Sequence, residues 1–167
     1  MAAETLLKVL PESSTAHVGG VSTHEAVQRV VEARFSVVSV LGKGSFGAAV
    51  LVRPLTQPDN LLVLKIPTAI QARTILRSEA EILCSMSHPR VIGFRECIPV
   101  PGKDVVLLLM EYAESGSLAD FLSQRRQRRE PLPARDSARI IHGILQALEY
   151  IHLKNILHLD IKCVGTV

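Results

Sequence analysis

The chain has 167 residues, of which 47% are hydrophobic and 21% are charged, and its formal net charge is +3. It has no apolar run long enough for a transmembrane helix and no basic-then-apolar N-terminus typical of a signal peptide, so we expect no membrane partner and a cytoplasmic protein, with the nucleus as the alternative. The small net charge gives no indication of a nucleic-acid partner.

The first 33 residues are predicted to form a flexible leader, because they include the polar stretch Pro11-Glu12-Ser13-Ser14-Thr15 and the pair Gly19-Gly20. Within this leader, residues 25–33 are compatible with a short helix. The three cysteines, Cys84, Cys97 and Cys163, are an odd number and include no Cys-x-x-Cys pair. This pattern favours reduced thiols over a zinc site.

A glycine-rich motif, Gly42-Lys43-Gly44-Ser45-Phe46-Gly47, separates two predicted strands over residues 34–41 and 48–53. A dinucleotide-binding loop would open a helix after the last glycine, and a Walker A loop would have Lys-Ser or Lys-Thr there. The chain has Ala48-Ala49 at this point, which excludes both. Two interpretations remain: an ordinary glycine-rich hairpin, and a strand-loop-strand lid whose backbone can approach nucleotide phosphates.

The apolar segment 61–65 ends in Lys65, and a helix is predicted to follow over residues 69–86. A lysine at the end of a buried strand needs an anionic partner, either phosphate oxygens or a carboxylate. Glu79 lies on the same side of the predicted helix as Leu83 and Met86, so its carboxylate can point inward. The alternative for Glu79 is a solvated surface acid.

A buried strand is predicted over residues 104–110, after which the polarity changes abruptly. The connector 111–116 leads to a helix start at which Ser117 is the predicted N-cap and Asp120 occupies the N3 position. The run Arg125-Arg126-Gln127-Arg128-Arg129 is then predicted to be a solvated loop between helices, with a docking or nuclear-import patch as the alternative.

The strongest helical pattern covers residues 133–153, where Ile141, Ile144, Leu145, Leu148 and Ile151 recur at helical spacing. This helix leads into the segment His158-Leu159-Asp160-Ile161-Lys162. Taken alone, the segment is compatible with a capped turn after a core helix.

The order of these features resembles that of eukaryotic-type serine/threonine protein kinases. The features are the glycine-rich motif, Lys65, Glu79 ahead of His88-Pro89, the connector and the His158–Lys162 segment. The resemblance runs from about residue 34 to residue 162 and covers the first half of that domain. At two positions that contact adenine in the family, Ala49 stands where kinases usually have valine and Val63 stands where they usually have alanine. This combination is similar to the NIMA-related kinases. The lysine after Asp160 resembles serine/threonine rather than tyrosine kinases.

The resemblance implies an α+β kinase fold that binds ATP with Mg²⁺ and takes a protein substrate. It also implies that the carboxylate of Glu79, rather than that of Glu81, pairs with Lys65. Catalytic roles are implied for Lys65, Glu79, Asp160 and Lys162. Contacts to ATP are implied for Leu41, Gly42, Lys43, Gly44, Ser45, Phe46, Gly47, Ala49, Val63, Lys65, Met110, Glu111 and Ala113.

The family pattern divides the chain into the leader 1–33, a small lobe over 34–110, a hinge over 111–116, the start of the large lobe over 117–162 and a tail over 163–167 that departs from the family. Leu159 replaces an arginine that, in the family, pairs with a phosphorylated residue, so that mode of control is not expected. Gly165 stands where the family has a magnesium-binding asparagine, and the Asp-Phe-Gly ligand does not occur. No metal ligand is therefore assigned.

These departures predict that the 167-residue product is inactive, although its family is kinase. Three function classes remain open. The chain is an incomplete kinase, a binding module that competes with a full-length kinase, or a nonproductive product cleared by quality control. A chaperone or a full-length kinase is the partner expected in the last two cases.

Overall fold

The computed structural model describes residues 21–44 and 47–163. Its helices and strands are, in order, α1 (Thr23–Arg34), β1 (Phe35–Gly44), β2 (Gly47–Pro54), β3 (Leu62–Ile66), α2 (Ile70–Cys84), β4 (Phe94–Pro99), β5 (Val106–Glu111), α3 (Leu118–Gln127) and α4 (Ala134–Leu153). These elements belong to two compact units. The first contains the described residues up to 86 together with 93–112, and the second contains 87–92 and 113–163.

The first unit is built on a five-stranded antiparallel sheet with the strand order β1-β2-β3-β5-β4. The α+β prediction is confirmed, and the strands around residues 34–41, 48–53, 61–65 and 104–110 form close to their predicted positions. Strand β4 was not predicted. Its pairing with β5 is interrupted by a register shift between Phe94 and Glu96, and two charged residues, Arg95 and Glu96, break the apolar alternation by which a strand is recognised.

The two faces of this sheet bury different sets of side chains, because successive residues of a strand point to opposite faces. One face packs against α1 and contributes Ala48, Val50, Val52, Leu64, Ile66, Leu107 and Leu109 to a buried core. The other face forms a second core with Leu76 and Ala80 of α2, and its strand residues are Ala49, Val63, Leu108 and Met110. The predicted site residues Ala49, Val63, Lys65 and Met110 therefore share one face, whereas Glu111 follows Met110 on the opposite one.

Helix α1 (Thr23–Arg34) includes residues 25–33, where the sequence allowed a short helix, and it corrects the prediction that this part of the chain is a flexible leader. Ser22 caps this helix: its hydroxyl accepts from the Glu25 N–H at 3.1 Å, and the Glu25 carboxylate accepts from the Ser22 N–H at 2.9 Å. The backbone hydrogen bond from Ser22 is the main cause of the lowered pKa of Glu25. Val27 and Val31 are buried against the sheet. A flexible leader is therefore wrong for residues 22–33, and the rest of the predicted leader lies outside the described residues apart from Val21.

A bidentate ion pair between Arg34 and Glu96 connects the end of α1 to β4. Arg34 donates from Nη1 to Oε1 of Glu96 at 3.0 Å and from Nη2 to Oε2 at 2.6 Å. The hydrogen bond from Arg34 lowers the pKa of Glu96, and partial burial of the carboxyl opposes this effect only in part. A carboxyl whose pKa is lower in the folded chain stabilises the fold above its unfolded pKa and loses that contribution as the pH falls through its folded pKa.

We therefore expect Glu96→Gln to lower the free energy of unfolding by about 0.5–1 kcal/mol near neutral pH, a small effect because both side chains are partly exposed. The difference from the parent chain should disappear in acid, where Glu96 is protonated in the parent as well. Urea unfolding at neutral and acidic pH measures both values. The control is Asp59→Asn, which neutralises an exposed acid in a loop. An equal loss at both pH values would contradict the assignment.

The second unit contains α3 and α4, and both begin near their predicted positions. Ser117 and Asp120 form the predicted capping box, with hydrogen bonds of 3.0 and 3.1 Å. The Ser117 hydroxyl, followed by the Ser117 N–H, lowers the pKa of Asp120. The segment 87–92 packs against α4, where the His88 and Tyr150 rings stack with centroids 4.8 Å apart and the Ser87 N–H donates to the Tyr150 hydroxyl at 2.8 Å. In the described part of the chain, no helix has the length and apolar character needed to cross a membrane.

Candidate nucleotide and catalytic site

The glycine-rich motif lies at the tip of the hairpin between β1 and β2. Gly42 pairs with Ala49 in register, and Gly44 pairs with Gly47. Among the described residues, a Cβ atom added at Gly42 or Gly44 would meet no atom beyond its own chain neighbours within 4 Å, so the space beside both backbones is open there. Gly47 differs, because its φ is +136° and an added Cβ would lie 2.5 Å from the Ile66 carbonyl oxygen. The predicted contacts of Ser45 and Phe46 lie outside the described residues.

Lys65 of β3 and Glu79 of α2 form the ion pair that the sequence predicted. The distance from Lys65 Nζ to Glu79 Oε1 is 2.8 Å, and the side chains are 18% and 35% exposed. Strand alternation places Lys65 on the face of Ala49, its cross-strand partner on β2. Helix α2 positions Glu79 over that face because Leu76 and Ala80 anchor the helix in the core beneath it.

Buried aliphatic side chains lie on the same face of the sheet as this ion pair. Ala49 and Val63 are buried in the same cluster as Met110, and Val63 pairs directly with Met110 across β3 and β5. Leu41 is partly buried and packs against the cluster. An ammonium–carboxylate pair next to a set of aliphatic side chains can accept an anionic group beside a flat apolar one. The structure thus brings together Leu41, Ala49, Val63, Lys65, Glu79 and Met110.

We expect Glu79→Ala to lower the free energy of unfolding by about 1–3 kcal/mol, because Lys65 would then lack its carboxylate in a partly dry environment. This value lies below the cost of a fully buried pair, because Glu79 keeps about a third of its exposure. Urea unfolding gives the difference. Glu81→Ala is the matched control, since Glu81 lies on the same helix and is exposed. A cost for Glu81→Ala equal to that of Glu79→Ala would show that the ion pair contributes nothing specific.

Sequence reasoning missed a contact at the end of β5. The Glu111 N–H donates to the Gly93 carbonyl at 2.9 Å, and the Glu111 carboxylate lies close over the Gly93 backbone. Gly93 therefore helps to fix the backbone at the start of the predicted hinge. A signal was present in the sequence, because an isolated glycine next to a strand often marks a close approach of backbone groups.

In the second unit, the segment after α4 brings Asp160 and Lys162 together. Lys162 Nζ lies 2.6 Å from Asp160 Oδ2, and the Asp160 N–H donates to His158 Nδ1 at 3.3 Å. Leu159, between His158 and Asp160, has a φ of +61°, a conformation uncommon for a leucine, and its side chain is exposed. Both ionic side chains are accessible to solvent, so an external hydroxyl can reach the carboxylate.

Across 21–44 and 47–163, no three His, Cys, Asp or Glu side chains lie close enough together to hold a metal ion. Gly165, which takes the place of the family's asparagine, lies outside the described residues.

An antiparallel five-stranded sheet with a strand lysine paired to a helix glutamate, followed by a helical unit that presents an aspartate and a lysine, defines a protein kinase-like fold. The sequence profile of the protein kinase domain matches residues 35–164, and the chain belongs to this family.

Several serine/threonine kinases are similar to this chain. NUAK family SNF1-like kinase 1 of Homo sapiens is 30% identical over 136 residues, which cover 77% of this chain and 19% of that protein. Serine/threonine-protein kinase Nek3 of Mus musculus is 28% identical over 77% of this chain and 24% of its own length. Serine/threonine-protein kinase Nek8 of Danio rerio is 31% identical over 77% of this chain and 18% of its own length. The resemblance to NIMA-related kinases is therefore confirmed, and the chain spans about a fifth of the length of these relatives.

Proposed function

We propose that this chain is the ATP-binding part of a serine/threonine protein kinase, a family that transfers the γ-phosphoryl group of ATP to serine or threonine of a protein substrate. The observation that carries the proposal is the Lys65–Glu79 ion pair of 2.8 Å, located on the sheet face that Ala49, Val63 and Met110 make apolar. A purely structural ion pair would not need open glycine backbones on the neighbouring hairpin.

The residues present in the first unit fit ATP. The family resemblance assigns Leu41, Ala49, Val63 and Met110 as aliphatic contacts to the purine, and the space beside the backbones of Gly42 and Gly44 permits close approach of phosphates. Lys65 supplies a positive charge that Glu79 orients. Of the hinge residues that the resemblance assigns to adenine, Glu111 lies in this unit, and its N–H already donates to the Gly93 carbonyl. When bound, ATP supplies the phosphoryl group and its leaving group.

For the transfer itself, Asp160 would accept the proton of the substrate hydroxyl, and Lys162 would neutralise charge on the transferring group. Their 2.6 Å contact supports this assignment, because it places the ammonium beside the carboxylate that would take the proton.

We further propose that a polypeptide confined to residues 1–167 binds ATP weakly and transfers no phosphoryl group. The support for this proposal is that Gly165 stands where the family has a magnesium-binding asparagine and that Asp-Phe-Gly does not occur in these residues, because charge neutralisation by metal is a large part of phosphoryl-transfer catalysis. The alternative function is that of a non-catalytic module that competes with a full-length kinase or is held by a chaperone. The exposed side chains of Ile141 and Leu145 on α4 favour it, because they provide an apolar surface for a partner.

The test is a thermal-shift titration with ATP, with and without Mg²⁺, together with a phosphoryl-transfer assay on a generic serine peptide. We expect a small stabilisation by ATP that Lys65→Met abolishes and Lys103→Met, a control in a turn of the same unit, preserves. We expect no transfer, and hence no further loss from Asp160→Asn. Tight, Mg²⁺-dependent binding, or activity that Asp160→Asn removes, would contradict the proposed inactivity. Lack of any ATP effect would contradict the nucleotide site.

A further inference from the structure

A groove of about 420 Å³ lies at the C-terminal end of α3, outside the nucleotide and catalytic residues. This open groove is lined by Arg125, Arg126 and Arg129. Leu122, Pro131 and Leu132 also line it, and we call these three its apolar floor. Glu130 is the one acid among the lining residues, against three arginines, so the groove carries a net positive charge. A positively charged wall over an aliphatic floor is a surface for a ligand that is both anionic and apolar.

Arg125 is largely used to build this groove. Its Nη2 donates to the Pro131 carbonyl at 2.8 Å, and its guanidinium carbon lies 5.6 Å from the centroid of the Phe121 ring. Nη1 lies 3.9 Å from a Glu130 carboxylate oxygen. Its Nε–H is buried and has no hydrogen-bond partner.

Arg126, Arg128 and Arg129 are exposed, and none of them forms an ion pair with a carboxylate in the described part of the chain. The simplest explanation of arginines here is that cations stabilise the negative end of a helix dipole. This explanation accounts for Arg125 and Arg126, which lie in the last turn of α3. It does not account for Arg129, whose backbone conformation is unfavourable for an arginine.

The C-terminal ends of α3 and α4 have the same backbone geometry but different residues at the left-handed position. Helix α4 ends with Asn155 at φ +59°, where the Ile156 N–H donates to the Ile151 carbonyl at 3.0 Å. Helix α3 ends in the same way: Arg129 has φ +56°, and the Glu130 N–H donates to the Arg125 carbonyl at 2.9 Å. Glycine or asparagine is preferred at this left-handed position. The arginine therefore costs stability, which a functional role for its side chain would explain.

We propose that this groove, which we call the α3 groove, binds an acidic peptide segment of a partner protein. Arg126 and Arg129 pair with carboxylates on either side of one apolar residue, and that residue packs on Leu122 and Leu132. Nucleic acid fits less well. An aliphatic floor offers nothing to a phosphodiester backbone, and the Arg125 guanidinium already lies over the Phe121 ring on which a base would stack.

The experiment measures fluorescence anisotropy of the 167-residue chain with a fluorescein-labelled peptide that contains Glu-Asp-Leu-Glu-Asp between Gly-Ser flanks. We expect saturable binding that weakens as NaCl is raised, because the contacting charges are exposed. Replacing the peptide acids by Gln and Asn, or its leucine by serine, should each reduce the affinity. Equal binding of the amide peptide would overturn the role of the arginines, and equal binding of the serine peptide would overturn that of the floor.

Arg129→Gly gives the sharpest variant. It should raise the melting temperature, because glycine removes the left-handed strain, and yet weaken peptide binding by about threefold to tenfold. Arg129→Lys should retain most of the affinity. Arg126→Ala, in which the new residue is a good helix former, tests the same groove independently, and Arg95→Ala is the control for loss of one exposed charge elsewhere.

Stabilisation by Arg129→Gly with unchanged affinity would show that the arginine only caps the helix, and would overturn the proposal. Affinity losses that are equal for Arg95→Ala and Arg126→Ala would do the same, because they would indicate attraction by net charge alone. A thymidine oligonucleotide is the competitor. If it displaces the labelled peptide at a concentration lower than that of the peptide, the groove is assigned to nucleic acid instead.

Discussion

Gly47→Ala is expected to lower the free energy of unfolding of the first unit by about 2–4 kcal/mol. Two independent costs add at this position. The φ of +136° is rarely adopted by a residue with a side chain, and the new Cβ would lie 2.5 Å from the Ile66 carbonyl oxygen and 3.3 Å from Cα of Pro67. These neighbours are backbone atoms, so neither can rotate away. For a domain of ordinary stability this is a large fraction of the total, and the melting temperature should fall by more than about 10 °C.

Gly42→Ala is the matched control, because it makes the same chemical change in the same motif at a position where an added Cβ meets nothing within 4 Å. We expect its stability to remain close to that of the parent chain, while ATP binding weakens if phosphates approach the Gly42 backbone. Thermal unfolding of both variants, with and without ATP, separates the structural glycine from the ligand-facing one. Equal destabilisation by both substitutions would contradict the hairpin geometry.

The second large effect is expected on α4. Ile141 and Leu145 are each 57% exposed, although their spacing marks them as one face of an amphipathic helix. An aliphatic side chain gains about 1.5–3 kcal/mol on full burial, so these residues forfeit much of that gain. We expect hydrogen exchange in α4 to be faster than in β2, β3 and β5, and the chain to aggregate through this surface.

The double variant Ile141→Ser, Leu145→Ser should therefore reduce aggregation, measured by light scattering, with little change in the free energy of unfolding. Ile151→Ala is the contrasting variant on the same helix. Ile151 is buried, so truncation should cost about 2–5 kcal/mol. Strong protection of α4 in the monomer, or a large stability loss in the double variant, would mean that the helix face is covered after all.

Much of the candidate site could be predicted from the sequence, because local rules and family spacing agree there. The capping box at Ser117 follows from the residue types alone. Predicting the Lys65–Glu79 pair required family knowledge, because residue types alone do not distinguish Glu79 from Glu81. The prediction rested on the family's spacing ahead of His88-Pro89. The geometry agrees with that choice.

Other features could not be predicted because they depend on contacts between distant residues. The three glycines of the motif are equivalent in sequence, but only the packing of β2 beside Ile66 makes Gly47 indispensable to the backbone. Likewise, Val27 and Val31 form too short an apolar pattern to show that α1 packs on the sheet. The edge strand β4 is recognised only by its pairing with β5.

The sequence by itself therefore determined most of the helices and strands, apart from β4, since these follow from local periodicity, and the spacing of its motifs indicated the family. Tertiary structure decided which face each strand residue occupies, which glycine is constrained and which arginine is strained. Those properties arise from register and close approach, which are set by the whole fold rather than by neighbouring residues. Arg129 illustrates the difference: in the sequence it is one of four similar charges, and only its left-handed backbone distinguishes it from the other three.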